Sequence, residues 1–267
     1  MDIGTAKISK EEMHGIPHFN LSLLDIDEED NVKKFTARAE QWEKELENDY
    51  PFVIYAGGST LYIQNLLFPV DDVPPSNPKR VEKLKQEIEK TGIASFYEKL
   101  LEVDPDYAAT MDGKNTQRII RALDVYYETG QPFSSFHKRN NWENPLADYV
   151  FGLHLEREIL YGRINKRVDE MFHNGLENEL SKLLDTGITK DAQALQTVGY
   201  KEIIEGRDQG LLQNEYKELI KRNSRRYAKR QLTFFKRWPC VQWLDVTNHT
   251  TDSAADSLYK LIEKASE

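Results

Sequence analysis

A run of small and hydroxylated residues, Gly57-Gly58-Ser59-Thr60, is the best local candidate for a catalytic loop. It follows an apolar run at residues 51–56 and precedes a helical pattern. Glycine lets the backbone come close to a ligand, and the first N–H groups of a helix attract anions. Ser59 and Thr60 add hydroxyl groups at the same point. The pattern is typical of a loop that binds an anionic group, and a tight turn without a ligand is the alternative.

Positive charge is concentrated between Lys221 and Arg237, where seventeen positions hold eight basic and no acidic residues. On a helix, Ile220, Ala228 and Leu232 share an inward face, and the basic residues flank it. Such a helix is typical of a surface that follows a phosphate backbone. A solvated surface helix is the alternative, but such helices usually carry interspersed Glu partners at i,i+4. Their absence from the segment favours a polyanionic partner.

Two smaller basic groups could also meet an anion. Arg118 and Arg121 stand at i,i+3 beside Gln117, so both could reach one ligand or form an ordinary surface pair. Lys201 opens another helical pattern, with solvent exposure as the default. The six histidines lack metal-binding spacing, and the chain has neither a G-x-S-x-G nor a G-x-x-x-x-G-K-[ST] motif. We therefore predict no metal site made by these residues alone.

The composition fits a folded cytoplasmic protein. Of the 267 residues 39% are hydrophobic, which is enough to bury a core. The formal net charge of −9 taken alone argues against a nucleic-acid partner, so the local basic segment carries that prediction. Cys240 is the single cysteine, which excludes an internal disulfide and fits a reducing compartment. No run of about 18 apolar residues is present, so we expect no membrane partner.

Apolar runs indicate an α/β protein. Three of them predict buried parallel strands, at residues 51–56, 149–155 and 241–246. His154, inside the second run, reads as a core residue rather than a ligand. Three strands are few for such a sheet, and Met1 opens into a loop-like segment where a doubly wound sheet normally begins with a strand. This hints that an element is absent.

Helical periodicity fills most of the remaining chain. Long helices are predicted at residues 28–48, 157–185 and 251–265. Four prolines within residues 69–78 mark a boundary. A charge-rich helical stretch follows, which Gly130 ends, and residues 137–148 predict a loop back to the main body.

Seven co-linear segments together closely resemble the tRNA dimethylallyltransferase (tRNA isopentenyltransferase) family. They are MDIGTAK at 1–7, GIPHF at 15–19, GGSTLY at 57–62, NTQRIIRAL at 115–123, RINKRVDEMFHNGL at 163–176, QTVGYKE at 196–202 and YAKRQLTFFKRW at 227–238. The resemblance implies transfer of a dimethylallyl group from dimethylallyl diphosphate to N6 of the adenine 3′-adjacent to the anticodon (position 37) in tRNA. It also implies Mg²⁺ with the diphosphate and a P-loop of the nucleotide-binding (ATP-binding) type.

The fold that the resemblance implies is a P-loop-kinase-like parallel sheet core with a helical insertion that grips the anticodon stem-loop. We accordingly divide the chain into core residues 1–78, a helical tRNA-binding insertion at 79–142, and a second core segment with the basic helix at 143–267. The expected partners are the tRNA anticodon stem-loop and dimethylallyl diphosphate, and we expect a monomer.

The resemblance also implies roles for individual residues. Ser59 matches the Thr or Ser that lines the reaction channel, and is the implied catalytic residue. Diphosphate binding is implied for Gly57, Gly58, Lys201 and Lys7, although Lys201 falls where the family commonly has Arg. Contacts with tRNA are implied for Gln117, Arg118, Ile119, Ile120, Arg121, Arg225, Lys229, Arg230 and Gln231.

The start of the chain departs from the family pattern. In the family, MDIGTAK is internal, and an upstream βαβ segment carries the phosphate loop, most of the Mg²⁺ site and the Asp expected as general base. Such a unit needs at least about thirty residues, so we expect the polypeptide from Met1 to lack it and to be inactive or nearly so. A misassigned start or a trimmed polypeptide would explain this. Equal rates of isotopic dimethylallyl transfer by this chain and by an upstream-extended one would contradict the expectation.

Three other interpretations stay open. A catalytically dead protein could keep only the tRNA-binding surface. An adenylate isopentenyltransferase would act on a small molecule, but it would need neither the insertion at about 80–140 nor the long basic helix. A P-loop kinase fragment acting on a metabolite poorly explains the cationic segment at 221–237.

Overall fold

The computed structural model describes residues 1–68, 73–136 and 148–266. The chain forms two compact units. The first combines Met1–Ile63 with Pro145–Glu267, and the second is Gln64–Asn144. The predicted division at residues 78 and 142 stays a prediction.

Helices make up most of both units. In chain order they are α1 (Val32–Leu46), α2 (Thr60–Leu67), α3 (Pro78–Thr91), α4 (Ala94–Val103), α5 (Pro105–Ala108), α6 (Thr116–Thr129), α7 (Arg157–His173), α8 (Leu176–Asp185), α9 (Tyr200–Asp208), α10 (Gln213–Phe235) and α11 (Thr251–Ser266). Short 3₁₀ turns cover Phe133–Phe136 and Gln193–Gln196. No helix among the described residues is both long and apolar enough to cross a bilayer.

The described sheet has two parallel strands, β1 (Phe151–His154) and β2 (Gln242–Asp245). Their register runs from Phe151 opposite Gln242 to His154 opposite Asp245. Parallel strands require a crossover connection, which the intervening helices α7 to α10 provide. The predicted α/β class and the second and third predicted strands are confirmed.

The first predicted strand, at residues 51–56, is wrong. These residues form no strand, and Phe52 and Ile54 are 63% and 72% exposed. An apolar run becomes a buried strand only when a neighbouring strand accepts its backbone N–H and C=O groups. Within the described sheet β1 and β2 pair only with each other, so this run has no such neighbour there.

The helix predicted at 157–185 is divided in two. α7 ends at His173, and Gly175 adopts a left-handed backbone with φ of +92° before α8 begins. Glycine has no Cβ to oppose that conformation, so it ends helices readily. Gly187 lies just beyond α8 and also adopts a left-handed backbone, with φ of +91°.

Each unit has its own apolar core. In the first unit, helices α7 to α10 pack around Leu176, Leu180, Tyr200, Ile203 and Ile220, all nearly or fully buried. In the second unit, α3, α4 and α6 pack around Leu84, Leu100, Ile119, Leu123 and Phe133. Gly130 ends α6 in a left-handed conformation, as its position predicted. The predicted loop at 137–148 lies outside the described residues except for its last residue.

Candidate active site and nucleic-acid interface

The Gly57-Gly58-Ser59-Thr60 loop is fixed to α10 by one side chain. Gln231 donates from Nε2 to the carbonyl oxygen of Gly58 over 2.6 Å. A Cβ on Gly58 would lie 2.4 Å from that same nitrogen, so the Gln231 amide would have to move if residue 58 carried a side chain. Space around Gly57 is open. The resemblance implied a tRNA contact for Gln231, but the structure uses its amide to position the loop.

Ser59 lies at the start of α2. Its carbonyl accepts from the N–H of Ile63 at 3.0 Å, which begins the helical hydrogen bonding. The residue is exposed to solvent, so its hydroxyl can reach a ligand. The first N–H groups of a helix have no partner within the helix and attract anions. The loop can therefore present a hydroxyl and backbone donors together.

The outer face of α10 is cationic. Six basic side chains are exposed there and, in the part of the chain that the structure describes, have no carboxylate at ion-pairing distance: Arg222, Arg226, Lys229, Arg230, Lys236 and Arg237. Lys221 differs because its ammonium pairs with Asp169 at 2.9 Å and Glu218 at 3.0 Å. The predicted cationic track is present, without Lys221.

Arg225 does not belong to that free face. Its guanidinium donates to Asn165 Oδ1 of α7 at 2.5 Å and lies 6.0 Å from the centre of the Tyr161 ring. The residue is half-buried, so its main contribution is to hold α10 against α7. Among the residues of this segment for which a tRNA contact was implied, Lys229 and Arg230 are the two exposed cations without an ion-pair partner in the described part of the chain.

A cavity borders the C-terminal half of α10. Lys229 and Lys236 line it together with Arg157 at the start of α7 and His154 at the end of β1. His154 was predicted as a core residue, but its side chain is 35% exposed and faces Asp245, with 3.6 Å between Nδ1 and Oδ2. The end of a strand opens onto the cavity, which leaves this ring only partly covered.

The N-terminal loop is bound by a half-buried carboxylate. Glu179 of α8 accepts from the backbone N–H groups of Asp2, Ile3 and Gly4 at 2.5, 3.1 and 3.3 Å. The Tyr200 hydroxyl donates to the same carboxylate and accepts from Gly4 N–H at 3.1 Å. Burial raises the pKa of Glu179, but these donors outweigh it and hold that pKa below its ordinary value. Burial, then Glu179, raises the pKa of Tyr200 well above its ordinary value.

Lys7 and Lys201, both implied to bind diphosphate, already have partners. Lys7 Nζ lies 2.5 Å from Asp2 Oδ1 and 2.9 Å from Ser22 Oγ. Lys201, at the start of α9, pairs with Glu205 at 3.6 Å, and its side chain is 45% exposed. No contact of either lysine with the Gly57–Thr60 loop occurs among the described residues.

The residues implied to contact tRNA in the second unit separate into two kinds. Gln117 and Arg118 are exposed, and the Arg118 guanidinium lies 5.8 Å from the Tyr107 ring centre. Ile119 and Ile120 are buried in the core, where their side chains pack the unit, and the RNA contact implied for these two positions stays a prediction. The periodicity of α6 puts these two positions on its inward face.

Arg121 is also a structural residue. Its guanidinium donates to the Ser76 hydroxyl at 2.9 Å, the Pro74 carbonyl at 2.5 Å and Asp124 Oδ2 at 3.3 Å. Burial lowers the pKa of Arg121, and Asp124 partly offsets that effect. The expectation that Arg118 and Arg121 reach one ligand is therefore corrected, because Arg121 holds the proline-rich segment instead.

Sequence patterns did not predict two glutamates, Glu202 and Glu179, that connect α9 to α10 and α8 to the N-terminal loop. Glu202 of α9 accepts from Gly199 N–H at 2.7 Å and from Asn223 of α10 at 2.8 Å. Its carboxylate makes the same backbone contact as the Glu of a capping box, but the usual N-cap Ser or Thr is absent because residue 199 is glycine. Glu179 lies 177 residues from Asp2 along the chain, and no local pattern announces that contact.

The described residues do not by themselves fit a magnesium ion. No group of three or more His, Cys, Asp or Glu side chains among them is arranged to hold a metal. We therefore assign no step of the reaction to a metal ion held by these residues alone.

Comparison with known proteins gives concordant matches. The family model described as IPP transferase matches residues 1–238. A tRNA dimethylallyltransferase of Thermoanaerobacter sp. (strain X514) is 41% identical over 254 residues, covering 93% of this chain and 80% of the relative. One from Natranaerobius thermophilus is 36% identical over 271 residues, covering 99% and 80%.

Two solved structures are similar in fold. The full-length tRNA isopentenylpyrophosphate transferase from Bacillus halodurans superposes with a TM-score of 0.68 at 34% identity, covering 100% of this chain and 84% of its own. A eukaryotic dimethylallyltransferase described as acting on tRNA gives a TM-score of 0.77 at 25% identity, covering 98% and 68%.

Proposed function

The chain belongs to the IPP transferase family, that of the tRNA dimethylallyltransferases, and we propose that the protein transfers a dimethylallyl group to tRNA. The donor is dimethylallyl diphosphate, and the acceptor is N6 of the adenine 3′-adjacent to the anticodon, at position 37. The new bond joins that nitrogen to the allylic carbon, diphosphate leaves, and the amine loses one proton.

One observation supports this proposal: a single helix joins an exposed cationic surface to the Gly57–Thr60 loop. The exposed cations of α10 lie between Arg222 and Arg230, and Gln231 of the same helix donates to the carbonyl of Gly58. A phosphate backbone bound along Arg226, Lys229 and Arg230 would thus lie beside the loop that presents Ser59. This arrangement suits a polymeric substrate better than a free nucleotide.

The loop suits the departure of diphosphate. Negative charge develops on the leaving group, so donors fixed beforehand stabilise the transition state most effectively. Ser59 offers its hydroxyl, and the open space at Gly57 lets a phosphate approach the backbone. We assign Lys7 and Lys201 to the same anion as mobile countercharges. Mg²⁺, when bound, would supply further countercharge.

The acceptor must leave its stack to react. Extruding a loop base costs a few kcal/mol, which backbone and stacking contacts can offset. Arg118 and Gln117 in the second unit and the cations of α10 in the first are our candidates for those contacts. Deprotonation of the amine needs a carboxylate, which the resemblance assigns to an Asp of the P-loop segment.

The test is isotopic. Labelled dimethylallyl diphosphate is incubated with the protein expressed from its gene and with unmodified tRNA, an anticodon hairpin, or AMP, and the product nucleosides are identified. Label on N6 of adenine 37 supports the proposal. Label on AMP alone would establish the adenylate transferase, and salt-sensitive hairpin binding without transfer would establish the RNA-binding protein; either result contradicts the proposal.

A further inference from the structure

Glu179 and Tyr200 hold the N-terminal loop through hydrogen bonds to its backbone, and we call these two residues the clamp. Three successive backbone N–H groups, from Asp2, Ile3 and Gly4, converge on one carboxylate of Glu179. Converging N–H groups of this kind form a concavity that selects an anion. The loop is therefore held through its main chain, in addition to the packing of Met1 and Ile3 against the core.

Tyr200 completes the clamp from α9. This ring is fully buried, and its hydroxyl joins both the carboxylate of Glu179 and the N–H of Gly4. A Cβ on residue 4 would lie 2.4 Å from the ring, so glycine is needed for the loop to sit on it. Hydrogen bonds to a charged acceptor are stronger than those between neutral groups.

Hydrogen bonds within the loop connect Lys7 to the residues that the clamp holds. The Lys7 N–H donates to the Asp2 carbonyl at 3.0 Å, and the Ala6 N–H donates to the Ile3 carbonyl at 3.0 Å. These two bonds close the loop into a compact turn, with the lysine ammonium beside Asp2. Fixing residues 2 to 4 therefore fixes the point from which the Lys7 side chain extends.

The same clamp is tied to the basic helix. Next to Tyr200 in α9, Glu202 accepts from the Gly199 N–H and from Asn223 of α10. α10 in turn holds the Gly58 carbonyl through Gln231. One hydrogen-bonded frame thus positions both the N-terminal loop and the Gly57–Thr60 loop.

We propose that Glu179 and Tyr200 are positioning residues, which hold the loop of residues 1–7 in the conformation in which Lys7 meets the diphosphate of the substrate. This inference rests on the proposed function. Neither residue touches the substrate; they act by fixing the backbone that carries Lys7. Without either side chain the loop of residues 1–7 becomes mobile, and the affinity for diphosphate falls because Lys7 is no longer held in place. The tRNA surface on α10 is unaffected.

The chain contains a matched control for this test. Glu177 lies on the same helix, two positions away, and accepts from the Tyr216 hydroxyl and from Arg207 Nη2 at 3.3 Å. It repeats the Glu–Tyr chemistry and has no hydrogen bond to the N-terminal loop among the described residues. Glu177→Gln and Tyr216→Phe therefore report what losing such a pair does to the fold alone.

The experiment compares Glu179→Gln and Tyr200→Phe with these two controls in the protein expressed from its gene. A glutamine keeps the shape of Glu179 but loses its charge, so we expect KM for dimethylallyl diphosphate to rise about tenfold, with Kd for an anticodon hairpin within about twofold of the parent. Hydrogen exchange at residues 2 to 4 should accelerate in the same two variants only.

The outcomes separate the two proposals. Transfer by the parent, with KM raised and exchange accelerated only in the Glu179 and Tyr200 variants, supports positioning. Equal effects on KM in Glu179→Gln and Glu177→Gln would show that both residues act only by stabilising the fold, and would overturn the inference. Absence of transfer by the parent would instead refute the proposed function on which the inference rests.

Discussion

The amide of Gln231 and the carbonyl of Gly58 lie 2.6 Å apart, although 173 residues separate them along the chain. This one hydrogen bond fixes the distance between the basic helix α10 and the loop that presents Ser59. A substrate aligned by the cations of α10 is thereby aligned with the loop as well. The contact turns two sequence motifs into parts of one site.

Replacing Gln231 tests that relationship. In Gln231→Leu the Gly58 carbonyl loses its donor, and we expect kcat for transfer to fall by about tenfold while hairpin affinity changes less than about twofold, since one hydrogen bond is worth roughly 0.5–1.5 kcal/mol. Thr233→Ala, two positions along the helix, is the control because its hydroxyl bonds only the carbonyl of Lys229 within α10. Single-turnover transfer and hairpin titration measure the two quantities.

Gly58→Ala tests the same hydrogen bond by changing the residue that accepts it. The new Cβ would lie 2.4 Å from Gln231 Nε2, so the amide must move and the hydrogen bond is lost. The double variant Gly58→Ala with Gln231→Leu is the control, because both changes remove the same hydrogen bond. If the double variant loses kcat by the product of the two single losses, the two residues do not act through this hydrogen bond.

The salt dependence of RNA binding tests the cationic face of α10. Log K for a nucleic acid falls with log salt by about 0.7–0.9 per neutralised phosphate. We expect Arg226→Gln combined with Arg230→Gln to weaken hairpin binding and to reduce that slope by about 1.5, because two free cations are lost. Binding isotherms between low and physiological salt measure it.

Lys221→Gln is the control for those variants. Its ammonium already pairs with Asp169 and Glu218, so its removal should leave the slope unchanged. The two carboxylates are largely exposed, and glutamine keeps much of the lysine stem, so the fold should tolerate the change. An equal loss of slope in Lys221→Gln would show that total charge, not the free face, governs binding.

The two arginines of α6 should behave differently although they lie one turn apart. Arg118→Gln removes an exposed cation, so we expect weaker hairpin binding and an unchanged free energy of unfolding. Arg121→Gln removes the donors to Pro74 and Ser76, so we expect the free energy of unfolding to fall by about 1–3 kcal/mol. Urea denaturation and hairpin titration separate the two. Reversed effects would contradict the assignment of Arg121 to structure.

Much of the fold could be predicted from local patterns. The apolar runs around Phe151 and Trp243 gave true strands, because α7 to α10 return the chain to make them parallel neighbours. The run at 51–56 has the same local character but pairs with neither strand. Strand formation depends on a partner that sequence periodicity does not reveal. The break at Gly175 was missed for a different reason, because apolar periodicity continues across it.

The candidate site was predicted in its parts and not in its connections. Charge density located the α10 face, and small residues located the Gly57–Thr60 loop. Spacing could not predict that Arg118 and Arg121 differ in role. Arg121 is structural because it hydrogen-bonds Pro74 and Ser76 of the proline-rich segment, and a sequence pattern does not show that contact. Nor could it show that Gln231 bonds a carbonyl or that Glu179 binds a backbone far away in sequence. These contacts depend on how helices pack.

Acid should release the N-terminal loop before it unfolds the rest of the protein. Glu179 has a pKa held below its ordinary value of about 4.3. A carboxylate with a depressed folded-state pKa stabilises the fold above its unfolded value, and that contribution is lost as pH falls through the folded-state value. We therefore expect hydrogen exchange at residues 2 to 4 to lose protection as pH falls below about 4, after correction for intrinsic rates. In Glu179→Gln the protection should be low and independent of pH over the same interval, and a parent-like acid transition in that variant would assign the transition to another carboxylate.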